Sequence, residues 1–284
     1  MNKTQITAQS RFIGLGVAGN FAGHLEQAGE ASDFVAVVVR DSMAPKALFP
    51  FFVPGHSGQL GVFPLSDKAV FLPEAAVSGD EKVQIEPEVA LWCELEYVGT
   101  QVVAIHPRAF GAYNDCSIRR PDAKKISVKK NWGINSKGLA ARLLPLSYFS
   151  AGCELDDYRI ACYLERDGQL HAYGVDSAAI DYSYFHGQLL DWAIDKFNHQ
   201  QDQGPAEHIQ GLLAQAGHPP YALISIGATR YTPFGETHFL KPGDTACVVV
   251  YPGSRYSEAD IRDAIRSRQF AADISALLQA VSRR

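Results

Sequence analysis

Apolar positions along the chain fall mostly in short runs broken by Gly, Pro and Asp, the punctuation of strands rather than of long helices. These runs predict strands over Phe34–Val39, Leu48–Val53, Val89–Glu94, Gln101–Ile105, Ala109–Tyr113, Ala222–Ile226 and Ala246–Val250. Between them, Arg159–Leu164, the turn Arg166-Asp167-Gly168 and the returning Gln169–Tyr173 predict a hairpin. Helical spacing is rarer. Ser183–Asn198 carries Phe185, Leu189, Trp192, Ala193 and Phe197 on one stripe, and Ala206–Gln215 stops before Gly217. Ser257 and Asp260 form a capping pattern for a C-terminal helix whose apolar face would take Ile261, Ile265, Ile274, Leu278 and Val281. Arg262, Arg266, Arg268, Arg283 and Arg284 would lie mostly off that face, as a solvated surface. The fold class this predicts is α+β, β-rich, with a few peripheral helices.

Composition narrows the function classes. The chain has 284 residues, 46% hydrophobic and 20% charged, which is enough for a sizeable core. A net charge of -5 with dispersed basic residues disfavours a nucleic-acid partner. No long apolar run and no apolar leader segment appear, so a cytoplasmic protein without a membrane partner is expected. Five cysteines in no C-x-x-C spacing predict reduced, buried thiols rather than a disulfide framework.

Near the N-terminus, Gly14-x-Gly16-x-x-Gly19 precedes an apolar run ending in Arg40-Asp41, the outline of a dinucleotide fingerprint and hence of an NADP-dependent dehydrogenase. Against this, only Phe12 and Ile13 precede Gly14 as apolar residues, and the chain does not continue as alternating strands and helices. Gly16 and Gly19 are better placed in a turn that enters a short helix.

The sharper chemistry lies in VQIEPEVALWCEL. In an extended strand Glu86 and Glu88 point to one face, and Pro87 between them belongs at a strand start or edge. Two like charges at the head of an apolar strand are costly unless a cation sits between them. A third carboxylate, Asp115, arrives in FGAYNDCSIRR. Three carboxylates suit a hard ion, Mg²⁺ first, then Mn²⁺ or Ca²⁺.

Taken in order, GNFAGHLEQ, IEPEVALW, GAYNDCSIR, NWGINSK, LERDGQ and FLKPGD resemble the fumarylacetoacetate hydrolase family, over roughly residues 12–250. The resemblance implies a mixed β-sandwich or β-roll core, a homodimer, and Glu86, Glu88 and Asp115 as ligands of Mg²⁺ or Mn²⁺. It places a lid segment in a small N-terminal portion, 1–75, ahead of a catalytic core, 76–284. It also implies a small 2-oxo or β-diketo carboxylic acid as substrate, hydrolysed at a carbon-carbon bond through a metal-stabilised enolate. Decarboxylation, isomerisation or hydration on the same fold is the alternative.

Residue by residue, His24 falls on the family's lid histidine, Lys137 on the lysine that meets substrate oxygen, and Arg119 on the arginine after the metal aspartate. Trp132 would pack near the site, and Thr229 lies close to the turn that holds a substrate carboxylate. The chain departs from the family in four places. Gln27 stands where hydrolytic members carry the glutamate that activates water with the histidine; Gln can orient water but cannot take its proton. Arg119-Arg120-Pro121-Asp122 lacks a substrate-contacting glutamine, KGLAARLLP replaces a Lys-x-Phe-Asp segment, and Ala228 shifts the register at Thr229. These departures imply a divergent member with a different substrate, or a binding protein that has lost turnover.

Overall fold

A computed structural model describes residues 11–29, 41, 43–120 and 123–284. The expected strand Phe34–Val39, and Arg40, Pro121 and Asp122, lie outside the described residues. In chain order the strands are β1 (Phe12–Ala18), β2 (Ala47–Phe52), β3 (Leu65–Ser66), β4 (Ala69–Leu72), β5 (Lys82–Gln84), β6 (Pro87–Val98), β7 (Gln101–Asn114), β8 (Ser117–Arg119), β9 (Lys137–Leu139), β10 (Leu144–Pro145), β11 (Tyr158–Arg166), β12 (Gln169–Ala172), β13 (Ser177–Ala178), β14 (Tyr221–Ser225), β15 (Thr245–Pro252) and β16 (Ser275–Arg283). The helices are α1 (His24–Gln27), α2 (Glu74–Ser78), α3 (Ser127–Lys130), α4 (His186–His199), α5 (Ile209–Gln215), α6 (Pro233–Thr237) and α7 (Glu258–Ser267).

An eight-stranded mixed sheet runs β2-β1-β14-β6-β7-β9-β3, with β10 on β7. The second, of six strands, runs β12-β11-β15-β16-β4, with β13 on β11. One apolar cluster takes Ile13, Leu15, Val89 and Leu91 from the first sheet and Ile160, Val248 and Leu277 from the second, so the main core lies between them. The protein is the β-rich α+β fold that its patterning predicts. Residues 12–52 supply two strands of the first sheet, and β4 pairs with β16 in the second. No helix among the described residues is long and apolar enough to cross a membrane.

The hairpin that builds the site is β6–β7. Its register pairs Pro87 with Asn114 and Glu88 with Tyr113, and Asp115 N–H donates to the Glu86 carbonyl at 2.9 Å. Pro87 is the first strand residue, where its missing N–H costs no ladder bond. Helix α4 buries Leu189, Ala193 and Phe197 at fourfold spacing, and the Asn198 side chain both donates to and accepts from the Val102 backbone on β7.

Three expectations are corrected. Gly14 and Gly16 lie inside the fully buried strand β1, not in a phosphate loop or a turn. A Cβ at Gly14 would fall 2.3 Å from the Phe51 ring, and one at Gly16 2.2 Å from the Phe49 ring, so the glycines make room for aromatic side chains of β2. Only Gly19, with φ of +74°, has the turn conformation. β1 therefore contributes packing where a dehydrogenase would need a strand-to-helix turn.

Two further corrections concern the C-terminal region. The helix ends at Ser267, with Arg268 left-handed at φ +57°. Ile274, Leu278 and Val281 then follow outside it, Leu278 and Val281 in strand β16, where Ser275, Leu277, Gln279 and Val281 are buried at period two. Arg283 and Arg284 are exposed as expected, but at the end of β16 rather than on a helix, where they border a cavity of about 630 Å³ with Trp132 and Phe71.

Candidate functional site

At the open end of the β6–β7 hairpin, Glu86, Glu88 and Asp115 are buried and bring one carboxylate oxygen each within 4.8 Å of one another. The strand alternation that puts Glu86 and Glu88 on one face, and the register that sets Asp115 beside them, account for this convergence.

Three cations surround the carboxylates. Lys130 Nζ, at the end of α3, lies 2.6 Å from Glu86 Oε2 and 2.6 Å from Asp115 Oδ2, and donates to Ser117 Oγ at 2.7 Å. Lys137 Nζ is fully buried, 3.1 Å from Asp115 Oδ1, and donates to the carbonyls of Asp115 and Cys116. It also sits 5.6 Å above the Trp132 ring. Arg119 reaches Glu86 Oε1 at 2.9 Å, donates to the Tyr231 hydroxyl at 2.7 Å and to the Gln84 side-chain carbonyl. Arg119 and Lys137 therefore hold the carboxylate cluster.

The environment drives the three carboxyls apart. Burial would raise Glu86, but Lys130, Arg119 and His24 outweigh it and hold this carboxyl well below the usual range. At Glu88 burial, reinforced by Asp115 and Glu86, pushes the carboxyl well above it, with Lys130 and the Gly227 N–H offsetting only part. Asp115 is also raised, because burial exceeds the pull of Lys130 and Lys137. Lys137 is lowered by burial against the attraction of Asp115. At Glu88 and Asp115 burial thus outweighs the compensation by neighbouring cations. Neither Asp115 oxygen, nor Glu86 Oε1, has a well-aligned hydrogen bond to its cation. An all-oxygen set of this kind fits a hard divalent cation, with the Lys130 ammonium as its competitor.

His24 and Gln27 approach on α1. Before it, buried Asn20 donates to the carbonyls of Tyr184 and Ile226 and accepts from Tyr184 N–H, which fixes where the helix begins. His24 is buried, and its Nδ1 is 2.9 Å from the Thr229 carbonyl, which can only accept. Gln27 accepts from Tyr231 N–H at 2.8 Å and donates to the Tyr231 carbonyl and to Glu236 at 2.6 Å. Its amide ties the helix to the 229–236 segment. Thr229 N–H donates to the Pro87 carbonyl, while its buried hydroxyl has no hydrogen bond. Tyr113, whose phenol is raised by burial and by the Asp115, Glu88 and Glu86 charges, likewise has an unbonded buried hydroxyl.

The eight residues singled out from sequence thus lie on segments that meet around one cluster. Reasoning from sequence missed Lys130, Tyr113, Tyr231 and Asn20. Of these, Asn20 had a signal, its place in the quoted lid segment. Lys130 had none, because a lysine in AKKISVKKNWG has the look of a surface residue.

Comparison with known proteins agrees with this architecture. The crystal structure of Cg1458 with an inhibitor is similar at 15% identity and a TM-score of 0.55, covering 96% of this chain and 77% of that one. The structure of 2-keto-3-deoxy-D-arabinonate dehydratase complexed with magnesium and 2,5-dioxopentanoate is similar at 15% identity and a TM-score of 0.50, covering 96% and 73%. A proposed fumarylacetoacetate isomerase/hydrolase from Oleispira antarctica shares 12% identity at a TM-score of 0.50, covering 95% and 93%. No curated protein matches the sequence. With this fold, and with residues 30–281 matched by the family's model, the chain is a divergent protein of the fumarylacetoacetate hydrolase fold and belongs to DUF5718, a family of unknown function.

Proposed function

We propose that the protein is a divalent-metal-dependent enzyme that hydrolyses a carbon-carbon bond in a small 2-oxo or β-diketo carboxylic acid. The observation that carries this reading is the buried convergence of Glu86, Glu88 and Asp115 among unsatisfied polar atoms. Nine buried side-chain atoms lack a hydrogen bond among the described residues, and five of them belong to Glu86, Asp115, Tyr113 and Thr229. The three carboxylate oxygens among them are held by ion pairs alone, whereas the Tyr113 and Thr229 hydroxyls beside them make no hydrogen bond, at about 1–3 kcal/mol each, which favours a site completed by ligands. The similarity to a dehydratase holding magnesium and a dioxo acid supports the same general chemistry.

When bound, Mg²⁺ or Mn²⁺ would supply Lewis-acid charge to the oxygens of an oxo acid. The chain's own residues have separable parts in this proposal. Glu86, Glu88 and Asp115 hold the ion, and Arg119 and Lys137 keep Glu86 and Asp115 oriented. Because His24 Nδ1–H donates to a carbonyl, Nε2 is the basic nitrogen, suited to take a proton from water or from carbon beside a carbonyl. The Thr229 hydroxyl offers a donor to a substrate carboxylate. Gln27 acts through α1 by holding it on Tyr231.

A second reading, dehydration, decarboxylation or isomerisation of a related acid, is favoured by Gln27, which brings no carboxylate to pair with His24. Both are tested by a panel of acylpyruvates, other β-diketo acids, oxaloacetate and 2-keto-3-deoxy sugar acids with Mg²⁺ or Mn²⁺, analysed for products. Hydrolysis yields two carbonyl or carboxyl fragments, and dehydration keeps the carbon chain intact. Asp115→Asn and His24→Asn should lower turnover at least about 100-fold. Undiminished turnover in Asp115→Asn would overturn the assignment. Metal binding without turnover of any acid would favour a binding protein instead.

A further inference from the structure

All five cysteines are buried, and Cys93, Cys116, Cys162 and Cys247 lie on or beside the strands. Cys153 is placed differently, in the loop before Glu154–Asp157, facing the start of α4. Its Sγ lies 3.3 Å from Asp156 Oδ1 and 3.8 Å from His186 Nε2, and Asp156 Oδ1 lies 2.6 Å from the same Nε2. Three different donor types from two separate segments meet at one point.

This arrangement does not work as a nucleophile triad. A cysteine protease-like relay uses both ring nitrogens of the histidine, one for the thiol and one for the carboxylate. Here the single atom Nε2 faces both partners. In the metal-free protein one oxygen gathers the group, since the Cys153 thiol donates to Asp156 Oδ1 and His186 Nε2 meets the same atom.

The distances match a metal ligand set. With metal-sulfur bonds of about 2.3 Å and metal-nitrogen or metal-oxygen bonds of about 2.0–2.1 Å, tetrahedral ligands stand about 3.3–3.6 Å apart. The two sulfur separations lie close to that range, and the nitrogen-oxygen pair is shorter because these atoms hydrogen-bond directly. The ligands are held from outside. Gly152 N–H donates to Asp156 Oδ2 at 2.7 Å, which turns Oδ1 toward the sulfur, and Phe149 and Phe185 flank the His186 ring. Side-chain exposures of 19% for His186 and 22% for Asp156 leave the point reachable from solvent.

We propose that Cys153, Asp156 and His186 form a second metal site, for a borderline-soft divalent ion such as Zn²⁺ or Co²⁺, with water in the fourth position. Sulfur and imidazole donors select such ions, whereas the Glu86, Glu88 and Asp115 oxygens select Mg²⁺, so one chain would sort two metals by donor chemistry. Binding replaces the Cys153 S–H bond with a metal-thiolate bond and releases one proton to solvent for each ion.

The test uses the full chain saturated with Mg²⁺ and titrated with Co²⁺, with absorption read in the near-ultraviolet thiolate-to-cobalt band and in the visible ligand-field bands. One equivalent of Co²⁺ should develop both, and Zn²⁺ should displace it. Cys153→Ser should abolish the charge-transfer band, and His186→Ala should weaken Co²⁺ binding at least about tenfold. Asp156→Asn, which keeps the side chain's shape, should weaken it as well. Circular dichroism of each variant checks folding. Glu88→Gln should leave the cobalt spectrum unchanged, which separates this site from the carboxylate cluster. No charge-transfer band in the parent protein, or a band that survives Cys153→Ser, overturns the proposal.

Discussion

Lys130 decides the resting charge of the carboxylate cluster. Its ammonium lies between Glu86 and Asp115, and a divalent cation that uses the same oxygens competes with it. Removing one partner of a buried ion pair costs about 3–5 kcal/mol, because the other charge is left uncompensated. Lys130→Met should therefore destabilise the metal-free protein by roughly that amount while raising Mg²⁺ affinity at least about tenfold, and saturating Mg²⁺ should restore much of the loss. Urea unfolding with and without Mg²⁺, together with calorimetric titration, measures both effects. Weaker Mg²⁺ binding in the variant would show that the ammonium supports the ion rather than competing with it. The three carboxylates were legible at this scale because strand alternation and a short hairpin are local. Lys130 was not, because its burial depends on where α3 docks.

At the scale of elements, the Gly14-x-Gly16-x-x-Gly19 pattern changes meaning once its partner is known. A glycine run before a charged segment has the same spacing whether it loops around phosphate or gives way to aromatic rings, and only β2 distinguishes the two. Gly16→Ala should destabilise the protein by about 1–3 kcal/mol through overpacking against Phe49. Urea midpoints provide the measure, and fluorescence titration should show no NADPH binding to either form. A variant as stable as the parent would sink this account of the glycine. The C-terminal element carries a related lesson. The capping box is real, with Ser257 and Asp260 reciprocally bonded, but the helix it opens stops at Ser267 although the spacing of four and three continues. Residues 274, 278 and 281 fit a helical stripe by arithmetic, whereas pairing with β15 and β4 makes the segment a strand. The Asp167-Gly168 hairpin and helix α4 were legible because their signals, a residue pair suited to the two positive φ angles it adopts and a fourfold apolar stripe, lie within the elements themselves.

Across the whole molecule, the segment joining α4 to α5 places a titrating carboxyl against α3. Glu207 accepts from Ser127 N–H at 3.3 Å through Oε1, its Oε2 has no hydrogen bond, and burial raises it to about 7. A folded-state value above the unfolded one means that folding favours the protonated form. The stabilising contribution is therefore complete below the unfolded value near 4.5 and is lost as pH rises through about 7. Relative to Glu207→Gln, the parent protein should lose on the order of 3 kcal/mol between about pH 4.5 and pH 8. Unfolding free energies from urea titrations at several pH values measure the difference, and parallel curves for the two proteins would refute it.

The sequence by itself determined the β-rich class, the strands β2, β6, β7, β11, β12, β14 and β15, and the three carboxylates, because these follow from alternation and from short-range register. Tertiary structure alone decided that Lys130 lies among those carboxylates, that Gly14 and Gly16 make room for rings, and that Cys153, Asp156 and His186 meet. Periodicity acts between neighbours along the chain. Charge compensation and close packing act between neighbours in space, and those are chosen by the fold.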